Sequence, residues 1–190
     1  MYKILPFILF NVIFSYNCDI FADHSYIDRS IYSLGDTLSF EDQNLLYPVC
    51  VGDDTYNNDD SFSFTDLNGN LNSDYKITII SMNATWWPAC YDYISWMDDL
   101  LEYVKDHEEI FFFVSLDYNI DGYQTEQEYY SCEQWADLYI ELGEYGNIPL
   151  IINGDPDHRM WHMFSGTAYS AYAFIDHHMV VRYLLDSPNL

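Results

Sequence analysis

Ile77-Thr-Ile-Ile-Ser-Met-Asn-Ala-Thr-Trp-Trp-Pro-Ala-Cys90 is the stretch of sequence that decides the fold. Residues 77–80 are strongly β-prone, which is typical of a strand buried on both faces. A short polar turn then leads to Pro88, and from Ile94 onward apolar residues recur at helical spacing. The stretch therefore predicts a strand, a turn and a helix, with Cys90 just inside the first helical turn. Free backbone N–H groups and the helix dipole favour a thiolate there.

The segments around this unit alternate between strands and helices. The sequence predicts strands at 45–51, 110–116 and 148–152, helices at 131–142 and 158–164, and two antiparallel strands at 171–176 and 179–184. Because the apolar runs at 110–116 and 148–152 are continuous, they favour central strands of a parallel set.

The turn before Cys90 resembles that of a known family. Ala84-Thr-Trp-Trp-Pro-Ala-Cys90 is similar to the Ala-Thr-Trp-Cys-x-x-Cys active-site turn of TlpA-like and peroxiredoxin-like redoxins of the thioredoxin superfamily, with Trp87 in place of the first, nucleophilic cysteine. Phe62-Ser-Phe-Thr-Asp-Leu-Asn-Gly69 resembles the family's opening strand and turn, and Ala173-Phe-Ile-Asp176 resembles its Phe-Leu-Ile-Asp strand. The resemblance covers roughly residues 62–185. It implies an α/β thioredoxin-like fold, with a central mixed sheet flanked by helices.

Two further positions depart from the family pattern. The family has a cis-proline shortly before its Phe-Leu-Ile-Asp strand, and by that spacing its place is taken by Ser170. The family also ends with a helix that covers the sheet, whereas this sequence ends at Ser187-Pro-Asn-Leu190 without a helical pattern. We therefore expect a thioredoxin-like fold that lacks the C-terminal helix.

The N-terminal segment indicates export. Residues 4–14 form an apolar run after Lys3 that is too short to span a bilayer but has the length of a signal-peptide core. We expect a signal peptide at 1–22 with cleavage after Ala22, an acidic extension at 23–60 and the thioredoxin-like domain at 61–190. Lipidation of Cys18, which would provide a membrane anchor, and a buried N-terminal strand are the alternatives. The predicted location is periplasmic or extracellular.

The charge of the chain restricts its partners. The formal net charge is −25, with only six Lys and Arg residues among 190. A negative surface field of this kind argues against binding to nucleic acid or to anionic membrane surfaces.

The cysteines leave two functions open. The resemblance implies a thiol-disulfide oxidoreductase that acts on protein thiols or disulfides, but Trp87 can neither attack a disulfide nor resolve one. Cys90 would be a residual thiol, and Cys132 or Cys50 could serve as its partner or form an inert structural bridge. The alternative is a non-catalytic binding module that holds an extended peptide near Trp87 and Ser170.

An acidic segment also matches the spacing of a calcium loop. Its candidate oxygen ligands are Asp117, Asn119, Asp121, Tyr123 and Glu128. Because acid-rich chains produce this pattern by chance, a plain acidic turn is the alternative. No other cofactor is predicted, and His158 and His162, four residues apart, are interpreted as surface histidines.

Overall fold

A computed structural model describes residues 31–117, 130–153, 158–165 and 169–186. Its strands are β1 (Tyr47–Val51), β2 (Ser61–Phe62), β3 (Ile77–Ala84), β4 (Ile110–Asp117), β5 (Leu150–Asn153), β6 (Ala171–Ile175) and β7 (Val181–Asp186). Its helices are α1 (Phe40–Gln43), α2 (Gly69–Asn72), α3 (Pro88–Asp92), α4 (Ile94–Val104), α5 (Cys132–Leu142) and α6 (Arg159–Phe164), with a 3₁₀ turn at Phe64–Leu67. The predicted signal peptide lies outside the described residues. None of the helices in the described ranges is long and apolar enough to cross a membrane.

The strands form one seven-stranded mixed sheet in the order β2-β1-β5-β4-β3-β6-β7. β3, β4 and β5 run parallel, and β3 pairs with β4 along its whole length, from Ile77 opposite Ile110 to Ala84 opposite Asp117. β6 is antiparallel to β3 and begins beside its end, with Ala171 opposite Met82. The carboxyl ends of three parallel strands and the start of β6 therefore meet at one edge of the sheet. The predicted mixed sheet flanked by helices is confirmed.

Part of the acidic N-terminal segment belongs to this sheet. The short strand predicted at 45–51 is present as β1, which lies between β2 and β5. Tyr32 and Leu38 are also buried in the core. The sheet thus draws strands from both sides of residue 61, where the sequence pattern placed the start of the domain.

The sheet has an apolar core on each face. One core is rich in aromatic residues, and Phe62, Phe64 and Phe113 lie at its centre with ring centroids 4.9–6.4 Å apart. The other core lies beneath α3, α4 and α5 and contains Cys90, Ile94 and Trp135. Burial on both faces explains why the segments that form β4 and β5 are continuous apolar runs.

A buried carboxylate fixes the connection between α5 and β5. Asp98 on α4 is fully buried and accepts hydrogen bonds from the backbone N–H groups of Tyr145 and Asn147, both at 2.7 Å, and of Gly146 at 3.2 Å. A Cβ atom on Gly143 would lie 2.5 Å from an Asp98 carboxylate oxygen, so only glycine fits where α5 ends. The loop is therefore anchored to α4 by the buried charge.

Candidate active-site turn

The candidate site lies where β3 ends and α3 begins. Trp87 is the N-cap of α3 and Pro88 its first residue, which suits proline because the first helical N–H has no partner within the helix. The Cys90 N–H donates to the Trp87 carbonyl oxygen at 2.9 Å. The Trp87 side chain is 46% exposed, whereas Cys90 is 0% exposed. At this turn a large aromatic residue is therefore exposed to solvent, whereas the thiol is buried.

Cys90 is held as a protonated thiol. Burial raises the pKa of Cys90 to about 12, and the charge of Asp117 acts in the same direction. Hydrogen bonds from the backbone N–H groups of Ala84, at 3.4 Å, and Ser170 favour the thiolate but are outweighed. The prediction of a thiolate at the helix start is therefore wrong. α3 has only five residues, and its dipole does not compensate for complete desolvation.

Ser170 contacts this thiol from the opposite side. It directly precedes β6, is fully buried, and has a positive φ of 59°. Residues other than glycine rarely adopt this backbone conformation, so the surrounding structure must hold Ser170 in it. The Cys90 sulfur thus accepts from the backbone N–H of the last residue of β3, Ala84, and from that of Ser170, the residue before β6.

A second polar cluster, formed by Asp117, His158 and Tyr169, lies at the same edge of the sheet. Asp117 ends β4 and is only 3% exposed. Its carboxylate accepts a hydrogen bond from the Tyr169 hydroxyl at 2.6 Å and lies 2.8 Å from Nδ1 of His158, the N-cap of α6. Burial and the Asp117 charge raise the pKa of Tyr169 well above its ordinary value. The cluster therefore joins the segments before α6 and β6 to the end of β4.

Aromatic rings surround this cluster. Trp86 packs edge-to-face against His158 at 5.9 Å and against Tyr169 at 5.6 Å. Trp161 stacks on Tyr169 at 4.9 Å. Sequence pattern did not predict that these side chains are in contact. His158, interpreted as a surface histidine, is instead hydrogen-bonded to the buried Asp117 carboxylate. The one usable signal was the position of Asp117 directly after a central parallel strand.

Cys132 does not face Cys90 as a free thiol. It forms a disulfide with Cys50, with the two Cα atoms 6.3 Å apart, and Cys90 is the free cysteine among the described residues. The prediction that Cys132 could pair with Cys90 is therefore wrong for this structure, because Cys132 is already bonded to Cys50 of β1. The bridge between Cys50 and Cys132 was one of the alternatives that the sequence left open.

The calcium-loop prediction can be followed at one residue only. Asp117 is buried and bonded to His158 and Tyr169, while Asn119, Asp121, Tyr123 and Glu128 lie outside the described residues. Within the described ranges, no group of three or more His, Cys, Asp or Glu side chains is arranged to hold a metal ion. Calcium binding stays a prediction.

Comparison with known proteins establishes the fold. No protein-family model and no curated protein matches the sequence. Among solved structures, a thioredoxin-like protein from Aeropyrum pernix has a TM-score of 0.54 at 15% identity, with 78% of this chain and 84% of that chain covered. A secreted Mycobacterium tuberculosis disulfide oxidoreductase homologous to E. coli DsbE has a TM-score of 0.52 at 11% identity, covering 80% and 89%. A thiol:disulfide interchange protein from Chlorobium tepidum has a TM-score of 0.52 at 15% identity, covering 83% and 90%. The chain has the thioredoxin-like fold of these proteins.

Proposed function

We propose that this chain is an exported thioredoxin-fold protein whose turn at Trp87 and Cys90 does not exchange disulfides and instead binds an extended segment of a partner polypeptide. The observation that carries the proposal is the contrast between the fully buried Cys90 and the half-exposed Trp87 three residues before it. With a pKa of about 12, about 1 thiol in 100,000 is ionised at pH 7.

Disulfide exchange needs two things that this turn lacks. An attacking thiolate must reach the substrate sulfur, and a second thiol must release the mixed disulfide. Cys90 is too buried and too weakly acidic for the first task, and Trp87 cannot perform the second. The resemblance to oxidoreductases therefore supports the fold and the position of the site. Disulfide exchange at this turn is, in this proposal, lost.

The surface of the turn suits recognition of a polypeptide. The half-exposed Trp87 is followed one helical turn later by Tyr91, which is 37% exposed and stacks on Tyr130 with ring centroids 6.3 Å apart. Rigid aromatic side chains supply large contact areas at low entropic cost and are enriched among residues that dominate binding energy. The net charge of −25 favours a basic segment by long-range attraction. The proposed occupant is an extended segment that carries Lys or Arg.

The structural neighbours support a polypeptide as the partner class. Two of them are described as a secreted disulfide oxidoreductase and a thiol:disulfide interchange protein. A chain that has the fold of these proteins but does not exchange disulfides at this turn would still have a surface for a polypeptide at the same edge of the sheet. The partner would then be recognised by its backbone and side chains.

The loss of exchange is tested by insulin reduction with dithiothreitol as electron donor. We expect the full chain to give the same rate as its Cys90→Ala variant. A rate for the unchanged chain clearly above that of Cys90→Ala would overturn the proposal, because only a reactive Cys90 could cause it.

Binding is tested with an immobilised library of extended peptides of varied charge. We expect basic peptides with apolar residues to bind, and Trp87→Ala to weaken them by about 30-fold, as for a buried aromatic anchor. Tyr103→Ala is the matched control, since Tyr103 is an exposed aromatic residue on α4. Equal affinities for the Trp87→Ala and Tyr103→Ala variants would reject the site.

Export rests on the apolar run at residues 4–14. The full chain, expressed in a secreting host, should be recovered outside the cytoplasm with a new N-terminus near residue 23. An intact Met1 on recovered cytoplasmic protein would reject the signal peptide.

A further inference from the structure

The disulfide between Cys50 and Cys132 lies outside the turn that carries the proposed binding function. It joins β1 to the first residue of α5, across 82 residues of sequence. Cys132 is 3% exposed, whereas Cys50 is partly exposed. Cys50 is therefore the more exposed residue of the pair, and we expect an incoming thiolate to approach the bond from the Cys50 side.

A β-bulge aims Cys50 at α5. The register between β1 and β5 shifts at this residue, since Val49 pairs with Ile152 while Val51 pairs with Ile151. In a regular strand, consecutive side chains point to opposite faces. Here Cys50 and Val51 both pack against the core beneath α5, whereas Val49 belongs to the core on the other face. The local backbone irregularity thus presents Cys50 to the helix terminus.

The start of α5 is suited to stabilise Cys132 as a leaving thiolate. α5 has eleven residues, and its N-terminus is closed by a capping box in which Ser131 and Gln134 bond reciprocally at 2.8 and 3.3 Å. Cys132 occupies the first position of this helix, where the helix dipole favours negative charge. Glu133 places a negative charge nearby, but its carboxylate is bonded to the Ser131 hydroxyl at 2.8 Å. Cys50, in a strand, has no such support.

We propose that the Cys50–Cys132 bridge is an exchangeable disulfide that oxidises a dithiol in a partner polypeptide. A partner thiolate attacks the Cys50 sulfur, a new S–S bond forms to Cys50, and the Cys50–Cys132 bond breaks with the electron pair leaving on Cys132. The second partner thiolate then attacks its own sulfur in the mixed disulfide and releases Cys50. The partner loses two electrons and two protons. The bridge gains the electrons as two thiolates, which take up protons from solvent.

The position of the bridge relative to Trp87 gives this chemistry access to a bound chain. Tyr130, two residues before Cys132, stacks on Tyr91, which lies one helical turn after Trp87. The N-termini of α3 and α5 are therefore neighbours on one surface. Exchange with a small thiol does not need Trp87, so the exchange proposal and the binding proposal stand or fall separately.

Reduced glutathione is the probe that tests the exchange. The folded full chain is incubated with it at neutral pH, quenched with iodoacetamide at short times and analysed by peptide mass spectrometry, while circular dichroism follows the fold. We expect glutathione on Cys50 and alkylation on Cys132 before any loss of folded signal, with the Cys50 adduct about tenfold more abundant than a Cys132 adduct. The Tyr103→Ala variant, changed at an exposed residue of α4, should react at the same rate as the unchanged chain.

Two results would overturn this inference. Reduction that begins only when the folded signal is lost would make the bridge purely structural. Glutathione found mainly on Cys132 would show that the helix-terminal sulfur is the one attacked, contrary to the assigned roles. Glutathione exchange at Cys50 in the unchanged chain, together with failed peptide binding by the same chain, would reject the binding proposal alone.

Discussion

The sulfur of Cys90 accepts a hydrogen bond from the backbone N–H of Ala84 at 3.4 Å, so the last residue of β3 holds the thiol of the helix that follows. The bond fixes the sulfur under the turn and away from solvent. Burial outweighs the effect of this bond and raises the pKa of the Cys90 thiol far above neutrality, which can be measured through stability.

The alkaline stability of the protein should depend on Cys90. Burial raises its pKa from 9.0 to about 12, so folding favours the neutral thiol. The resulting contribution is fully present below pH 9 and is lost as the pH rises through 12, by about 4 kcal/mol at most. The difference in free energy of unfolding between the unchanged chain and Cys90→Ala, measured by urea titration, should shrink over this range. Tyr172, whose pKa burial raises to about 12, is present in both proteins, and its repulsion by an ionised Cys90 is part of the measured difference. A difference independent of pH would contradict the assignment.

Replacing Trp87 by cysteine should restore a disulfide at the turn. The two positions are one helical turn apart, and the Cys90 N–H donates to the residue 87 carbonyl at 2.9 Å. We expect the variant to lose one thiol equivalent at Cys90 on oxidation and to gain partial insulin reductase activity, limited by Ser170 at the place of the family's cis-proline. Ala89→Cys is the matched control, since adjacent cysteines seldom close a bridge. Equal behaviour of the two variants would show that the turn does not support exchange geometry.

Removal of the Asp98 carboxylate should destabilise the protein strongly. Its oxygens accept hydrogen bonds from three partly buried backbone N–H groups in the loop before β5. Asp98→Ala leaves those groups without a partner, so we expect a loss of about 3–5 kcal/mol in the free energy of unfolding. Asp99→Ala, at the exposed neighbouring position, should change it by less than about 0.5 kcal/mol. Similar losses for both variants would rule out the anchoring role.

The ion pair between Arg159 and Asp42 should set part of the acid stability. Burial opposes ionisation of Asp42, but hydrogen bonds from Arg159, at 2.5 Å, and from Tyr32 outweigh it and lower its pKa. A lowered carboxyl pKa stabilises the fold above the ordinary value of 3.8, and this contribution is lost as the pH falls through the lowered value.

Arg159→Met should therefore cost about 1–3 kcal/mol near pH 7, with the difference shrinking below pH 4. Lys105→Met, which removes an exposed pair with Glu102 at 2.6 Å, is the control and should have little effect on the free energy of unfolding. Thermal unfolding as a function of pH checks both variants. A constant difference for Arg159→Met across the acid range would contradict the linkage.

Local pattern was sufficient for the elements of the sheet but not for the chemistry of the site. β4 and β5 carry continuous apolar runs, and α5 has apolar residues at helical spacing, so their positions follow from short-range rules. The helix predicted to run on from Pro88 is divided at Tyr93 into α3 and α4. Periodicity alone does not show such a break.

The errors at the site have a common physical origin. The acidity of Cys90 depends on burial, which is set by elements distant in sequence such as β6, whereas the prediction used only the local helix terminus. The same holds for the contacts of Asp117 with His158 and Tyr169, which join segments that are adjacent only after the sheet has formed. The pairing of Cys50 with Cys132 likewise needs the position of β1 beside β5.

The place of β1 in the sheet has a consequence for how the chain reaches its native state. β1 is synthesised early, but Val49 cannot pair with Ile152 until β5 has been synthesised. The edge of β5 that faces away from β4 stays unpaired until β1 adds to it. Pairings between distant segments slow folding because the loop between them must close first. During synthesis, β1 can pair with β2 early, but its edge that faces β5 would remain unpaired until nearly the whole chain has emerged. That edge needs protection from aggregation during this time.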